Sequence, residues 1–106
     1  MSPTWIRTRV RRYAVLVGLG YVPRVVFSQK EWQRATPKRQ WKRVEGDTVG
    51  CAWDGVVFVN KSRACCRKNT DDTAAHEVLH LWQPKRRHGA KFNHIVSELM
   101  LGRVPE

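Results

Sequence analysis

Within this chain, the residues best suited to chemistry are His76, Glu77 and His80, in the stretch His76-Glu77-Val78-Leu79-His80. This is an H-E-x-x-H pattern. On a helix, residues four apart point the same way, so the two imidazoles can hold one zinc ion at roughly 2.0–2.1 Å each. Glu77 lies about 100° further round the helix. That is an awkward position for a third ligand but suits a base acting on a water at the metal, the arrangement of metal-assisted hydrolysis.

The third ligand has three candidates. His88 lies in the loop before the last predicted helix, where a turn can bring it back to the metal. Glu98 and His94 lie on that helix, opposite Phe92, Ile95 and Leu99, and point away if the apolar face is buried. His88 is the first choice. Glu98 is its main rival, because a glutamate from a second helix completes thermolysin-type sites.

The elements that must position these groups follow from the patterning. Asn69-Thr70-Asp71-Asp72 offers cap residues and first-turn acids, and Pro84 stops the pattern, so a helix is predicted over 71–83. Its Ala75, Val78, Leu79 and Trp82 form an apolar face opposite the two histidines. Ser2-Pro3 starts a helix over 3–17, closed by Gly18 and Gly20. Arg24–Phe27 reads as a strand, and Ser28 with Glu31 reads as a capping box opening a short helix over 29–35. A further strand is expected around Gln40–Val44. Thr48–Trp53 and Val56–Asn60 flank Asp54-Gly55, a hairpin signal. Phe92, Ile95, Val96 and Leu99 repeat at helical spacing and predict a last helix over 90–101, closed by Gly102.

The chain has 106 residues, which suits one small domain with a modest core that a bound zinc would help stabilise. It lacks a transmembrane run and an internal repeat. The apolar stretch after Arg11-Arg12 is short for a signal peptide and has no cleavage site behind it. Cys51, Cys65 and Cys66 make an odd count with no C-x-x-C pair, which points to reduced thiols of a cytoplasmic protein and away from a thiolate zinc site; the chain is expected to be a monomer.

Twenty Lys and Arg against nine Asp and Glu give a net charge of +11. An excess of this size favours contact with nucleic acid, DNA above all, through phosphates. Arg7, Arg11, Lys38, Lys42 and Arg63 are the expected contacts, since they lie outside the segments of the metal site. Trp5, Trp32, Trp41 and Trp82 lie in or near the basic runs, and most of them are expected in the core.

The H-E-x-x-H stretch is followed, after a short spacer, by His88-Gly89-Ala90-Lys91-Phe92. Together these resemble the SprT-like family of zinc metallopeptidases, whose pattern is H-E-x-x-H, a variable spacer, then H-G-x-x-F. Val25-Val26-Phe27-Ser28, Val49-Gly50-Cys51-Ala52 and Val57-Phe58-Val59-Asn60 resemble that family's first strand, small-residue segment and asparagine-ended strand. The likeness spans roughly residues 5–101. It implies an α+β, zincin-like fold: a small, mostly antiparallel sheet packed on the N-terminal helix, the H-E-x-x-H helix and a C-terminal helix. It implies zinc held by His76, His80 and His88, Glu77 as catalytic base, and a protein or peptide substrate. Cellular relatives include proteases that act on proteins crosslinked to DNA. The spacer here is shorter than in many members, and no zinc ribbon follows. Two other readings are a zinc ribonuclease of the YbeY type, whose pattern has glycine where this chain has Glu77, and a basic nucleic-acid-binding module with a purely structural zinc.

Overall fold

A computed structural model describes residues 2–41, 48–63 and 66–104. The order of elements is α1 (Pro3–Val17), β1 (Arg24–Val26), α2 (Gln29–Ala35), a 3-10 turn (Lys38–Gln40), β2 (Gly50–Trp53), β3 (Val56–Val59), a second 3-10 turn (Lys61–Arg63), α3 (Arg67–Trp82) and α4 (Ala90–Met100). The class is α+β, with four helices and a three-stranded sheet among the described residues.

The sheet is mixed and not mostly antiparallel. Its order is β1-β3-β2; β1 runs parallel to β3, and β2 pairs antiparallel with β3 through the Asp54-Gly55 turn. The parallel pairing comes from the α2-containing crossover between β1 and the hairpin, a connection that parallel neighbours require. The central strand β3 is buried at all four residues. Val57 and Val59 join the main core under α3, while Val56 and Phe58 pack with Val26 and the fully buried Trp32 of α2 on the other face. Burial on both faces explains why this strand reads as an unbroken apolar run.

Helix α3 is the hub, with α1, α4, β2 and β3 all against it. The N-terminal helix packs chiefly on α3, and its Ile6, Val10 and Tyr13 share one core cluster with Val25 of β1 and Val57 and Val59 of β3. Ser2 caps α1 by accepting from Trp5 N–H at 3.1 Å, and Ile6, Val10, Tyr13 and Ala14 form its buried stripe. Ser28 accepts from Glu31 N–H, while the Glu31 carboxylate turns back to accept from the Ser28 hydroxyl and Phe27 N–H. This is the expected box displaced by one residue.

Helix α3 begins a turn earlier than the sequence predicts, with Cys66 at its cap. Asn69 and Thr70 are therefore inside the helix, where the buried Thr70 hydroxyl donates to Cys66 C=O at 2.8 Å. Asp71 and Asp72 fall outside the first turn. Asp71 instead ties α3 to α1. Its carboxylate accepts from Arg9 Nε at 2.7 Å, Arg9 Nη2 at 3.0 Å and the Tyr13 hydroxyl at 2.6 Å. Hydrogen bonding to Asp71 raises the Arg9 pKa, and burial, with the Asp71 contact, pushes the Tyr13 phenol up to about 12.

The strand expected around Gln40–Val44 does not begin at Gln40, which closes a 3-10 turn; residues 42–44 lie outside the described residues. Trp32 is in the core, Trp5, Trp53 and Trp82 are half-buried, and Trp41 is exposed. Cys51 is half-buried and Cys66 exposed, and they are not bridged to each other; Cys65 lies outside the described residues. No described helix is long and apolar enough to cross a membrane.

Candidate metal centre

His76 and His80 sit one turn apart on α3, with their Nε2 atoms 3.1 Å from each other. His88, in the turn after α3, brings its Nε2 to 2.8 Å from that of His80. These three are the group of potential ligands that converges among the described residues, so they lie close enough to hold a metal ion. Tetrahedral zinc–imidazole bonds would place ligand nitrogens about 3.3 Å apart. The two spacings at His80 fall below that value, so the three imidazoles are close enough to share one ion.

The chain turn that returns His88 is built on Gly89, the cap of α4, at φ 153°. This is a region that side chains with a Cβ avoid. Three residues later Phe92 is buried under the site, its ring centre 4.6, 4.9 and 4.9 Å from those of His76, His80 and His88. The three imidazole centres are themselves 4.8–5.0 Å apart. Phe92 is thus a common floor that fixes all three rings. The sequence pattern places Phe92 on the apolar face of the last helix, but that it touches every candidate ligand emerges only in three dimensions.

Partial burial lowers the pKa of His76, with a further contribution from the His88 charge. For His80, burial and then the charges of His76 and His88 push it down to about 4. Both rings are therefore neutral at pH 7, the form in which imidazole binds metal.

The rivals for third ligand lie elsewhere. Glu98 on α4 sits 3.9 Å from His94 and 3.6 Å from Arg103, which follows the helix. Neither Glu98 nor His94 belongs to the convergent set.

Glu77 is buried, only 4% exposed, although it belongs to the histidine side of α3. What shields it is β2. A Cβ on Gly50 would fall 2.8 Å from Glu77 Oε2, 2.8 Å from Thr73 Cγ2 and 3.2 Å from Glu77 Cγ, closer than real contacts allow. Only glycine lets the strand approach so near. The approach is held from behind by Asn60, at the end of β3. Its amide donates to Thr48 C=O at 2.7 Å, and its backbone N–H donates to Val49 C=O at 2.9 Å. Sequence reasoning missed this clamp; the small-residue segment and the asparagine after β3 were its visible signals.

The site opens into a cleft of about 660 Å³ lined by β2, Tyr21, Asp54, the three histidines and Glu77. A smaller hollow of about 260 Å³ lies on the other side of Gly50, with Asp72, Thr73, His76 and Glu77 in its wall. None of the described Lys or Arg residues lines either space, whereas Asp54 and Asp72 do. In so basic a chain the walls of these two spaces carry acids and none of the described Lys or Arg.

Among the expected nucleic-acid contacts, Arg7, Arg11, Lys38 and Arg63 are exposed, and Lys42 lies outside the described residues. Arg7 and Arg11 line one groove; Lys38 and Arg63 do not.

Compared with known proteins, the chain matches no family model, no curated protein and no solved structure.

Proposed function

We propose that this chain is a zinc-dependent metallopeptidase, with His76, His80 and His88 as ligands and Glu77 as general base. The observation that carries the reading is the convergence of three imidazoles at an open cleft, with a buried carboxylate on the residue next to the first of them. A structural zinc is normally closed off by four protein ligands, whereas a three-ligand site facing a cleft is the catalytic arrangement. The resemblance to SprT-like peptidases supports the same assignment.

When bound, zinc supplies a Lewis acid that polarises a carbonyl and makes water acidic near neutral pH. The histidines hold the ion and Phe92 holds the histidines. Glu77 accepts the proton from the attacking water as its oxygen bonds to the peptide carbon. It then delivers that proton to the amine nitrogen as the C–N bond breaks. Among the described residues strand β2 lies at the sheet edge along the cleft, where an extended peptide can add to it.

The test is cleavage of an unfolded protein and of RNA, side by side, by the zinc-loaded chain before and after chelation and zinc return. Zinc-dependent proteolysis without RNA cleavage is expected. RNA cleavage alone would move the reading to a zinc ribonuclease, and neither activity would leave the zinc structural.

A further inference from the structure

Thr4, Arg7, Thr8 and Arg11 recur at i, i+3, i+4 and i+7 on α1, so they share one face, turned away from the buried stripe of Ile6 and Val10. With Val22–Val25 as the opposite wall, this face lines a groove of about 380 Å³, into which Arg24 also projects. Three arginines thus come from two elements to one hollow that has no acid in its lining. Arg7 is held over the Phe27 ring at 5.0 Å, and Lys61 stands 5.9 Å from the same ring, extending the positive strip beyond β3.

The absence of counter-charges here is selective. On the same helix Arg9 is bound in both prongs by Asp71, and Arg103 is paired with Glu98. Among the described residues no carboxylate pairs with Arg7, Arg11 or Arg24. Like charges one helical turn apart destabilise a helix, and a polyanion in the groove would relieve that repulsion. Arginine presents a flat fork that takes two phosphate oxygens at once, and its partner's condensed counterions are released on binding.

We propose that the groove between α1 and β1 binds the phosphodiester backbone of nucleic acid, through Arg7, Arg11 and Arg24, without reading its sequence. The inference does not rest on the peptidase reading. The groove and the catalytic cleft lie on either side of one short segment, with Tyr21 lining the cleft and Val22–Arg24 lining the groove.

The experiment is fluorescence anisotropy of a labelled mixed-sequence DNA duplex with the full chain between 50 and 200 mM salt. Each phosphate contact contributes about −0.9 to the slope of log affinity against log salt, so Arg7→Gln/Arg11→Gln/Arg24→Gln should flatten the slope by about 2.7. Lys30→Gln/Arg34→Gln/Lys85→Gln removes the same charge from exposed sites elsewhere and should leave the slope within one unit of wild type. Circular dichroism checks that each variant is folded. If the triple groove variant is not, Arg7→Gln/Arg11→Gln should still flatten the slope by about 1.8. Equal flattening by both triple variants would overturn the proposal, because net charge alone would then account for binding. So would absence of binding by wild type at 50 mM salt, or displacement of the duplex by polyglutamate at equal charge concentration.

Discussion

Replacing Gly50 by alanine tests whether the placement of the Glu77 carboxylate matters for turnover. The new methyl would meet Glu77 Oε2 and Thr73 Cγ2, each at 2.8 Å, where ordinary contact begins at 3.4 Å. Strand β2 has little freedom to retreat, because Gly50 is paired with Val59 and the preceding residues are clamped by Asn60. The carboxylate must therefore swing away. Overpacking of this kind costs about 1–3 kcal/mol of stability. A misplacement near 1 Å costs roughly 100-fold in rate, so the smaller shift needed here should lower kcat about tenfold or more. The histidines are untouched, so zinc content should stay at one per chain. Adding Thr73→Ala removes one of the two clashes; stability should recover in part, but the rate should not. The assay is steady-state hydrolysis of a quenched fluorescent peptide, with zinc measured on the same samples. A Gly50→Ala protein with kcat within twofold of wild type would refute the claim that the close approach of β2 positions the base.

Three other outcomes follow from the geometry. His88→Ala should abolish stoichiometric zinc binding while Glu98→Ala and His94→Ala retain it, as read by elemental analysis; the reverse pattern would assign the glutamate as ligand. The Tyr13 phenol has its pKa raised from 10.0 to about 12, so the stability it contributes is complete below pH 10 and is lost as pH rises towards 12. Thermal melts should show a loss across that window that Tyr13→Phe reduces, and Asp71→Asn should cost about 2 kcal/mol at neutral pH. Because Asp54 lines the cleft and Asp72 the adjoining hollow, with no described Lys or Arg in either wall, peptides with Lys or Arg beside the scissile bond should be cut faster than matched glutamate peptides. Asp54→Asn and Asp72→Asn should each reduce that preference ~2- to 5-fold in kcat/KM, and salt should shrink it; an unchanged preference would show that the two carboxylates do not set it.

What the sequence discloses here is mostly local. The two α3 histidines lie four residues apart, so helical geometry alone brings them together, and His88 needs only a short turn to join them. Ser2, Ser28 and the Asp54-Gly55 turn act within a few residues and are found where their chemistry puts them. Features that depend on distant partners were not legible. The parallel pairing of β1 with β3 is set by a crossover, and a β-branched run does not reveal its direction. Asp71 reads locally as a helix-start acid, yet its partners Arg9 and Tyr13 are 62 and 58 residues away, and a two-pronged guanidinium contact outweighs a place in the first turn. The same holds for the burial of Glu77. Helical position alone leaves it at the edge of the histidine face, and only the passage of β2 at Gly50 removes it from solvent.

Zinc content and peptide hydrolysis measured together on Glu77→Gln test the central claim most directly. The substitution keeps the shape of the side chain and removes its basicity. The account predicts one zinc per chain, an unchanged fold, and hydrolysis lowered by ~10²–10⁴-fold, the usual contribution of a general acid–base group. A Glu77→Gln protein that holds its zinc and cleaves peptides at the wild-type rate would contradict it.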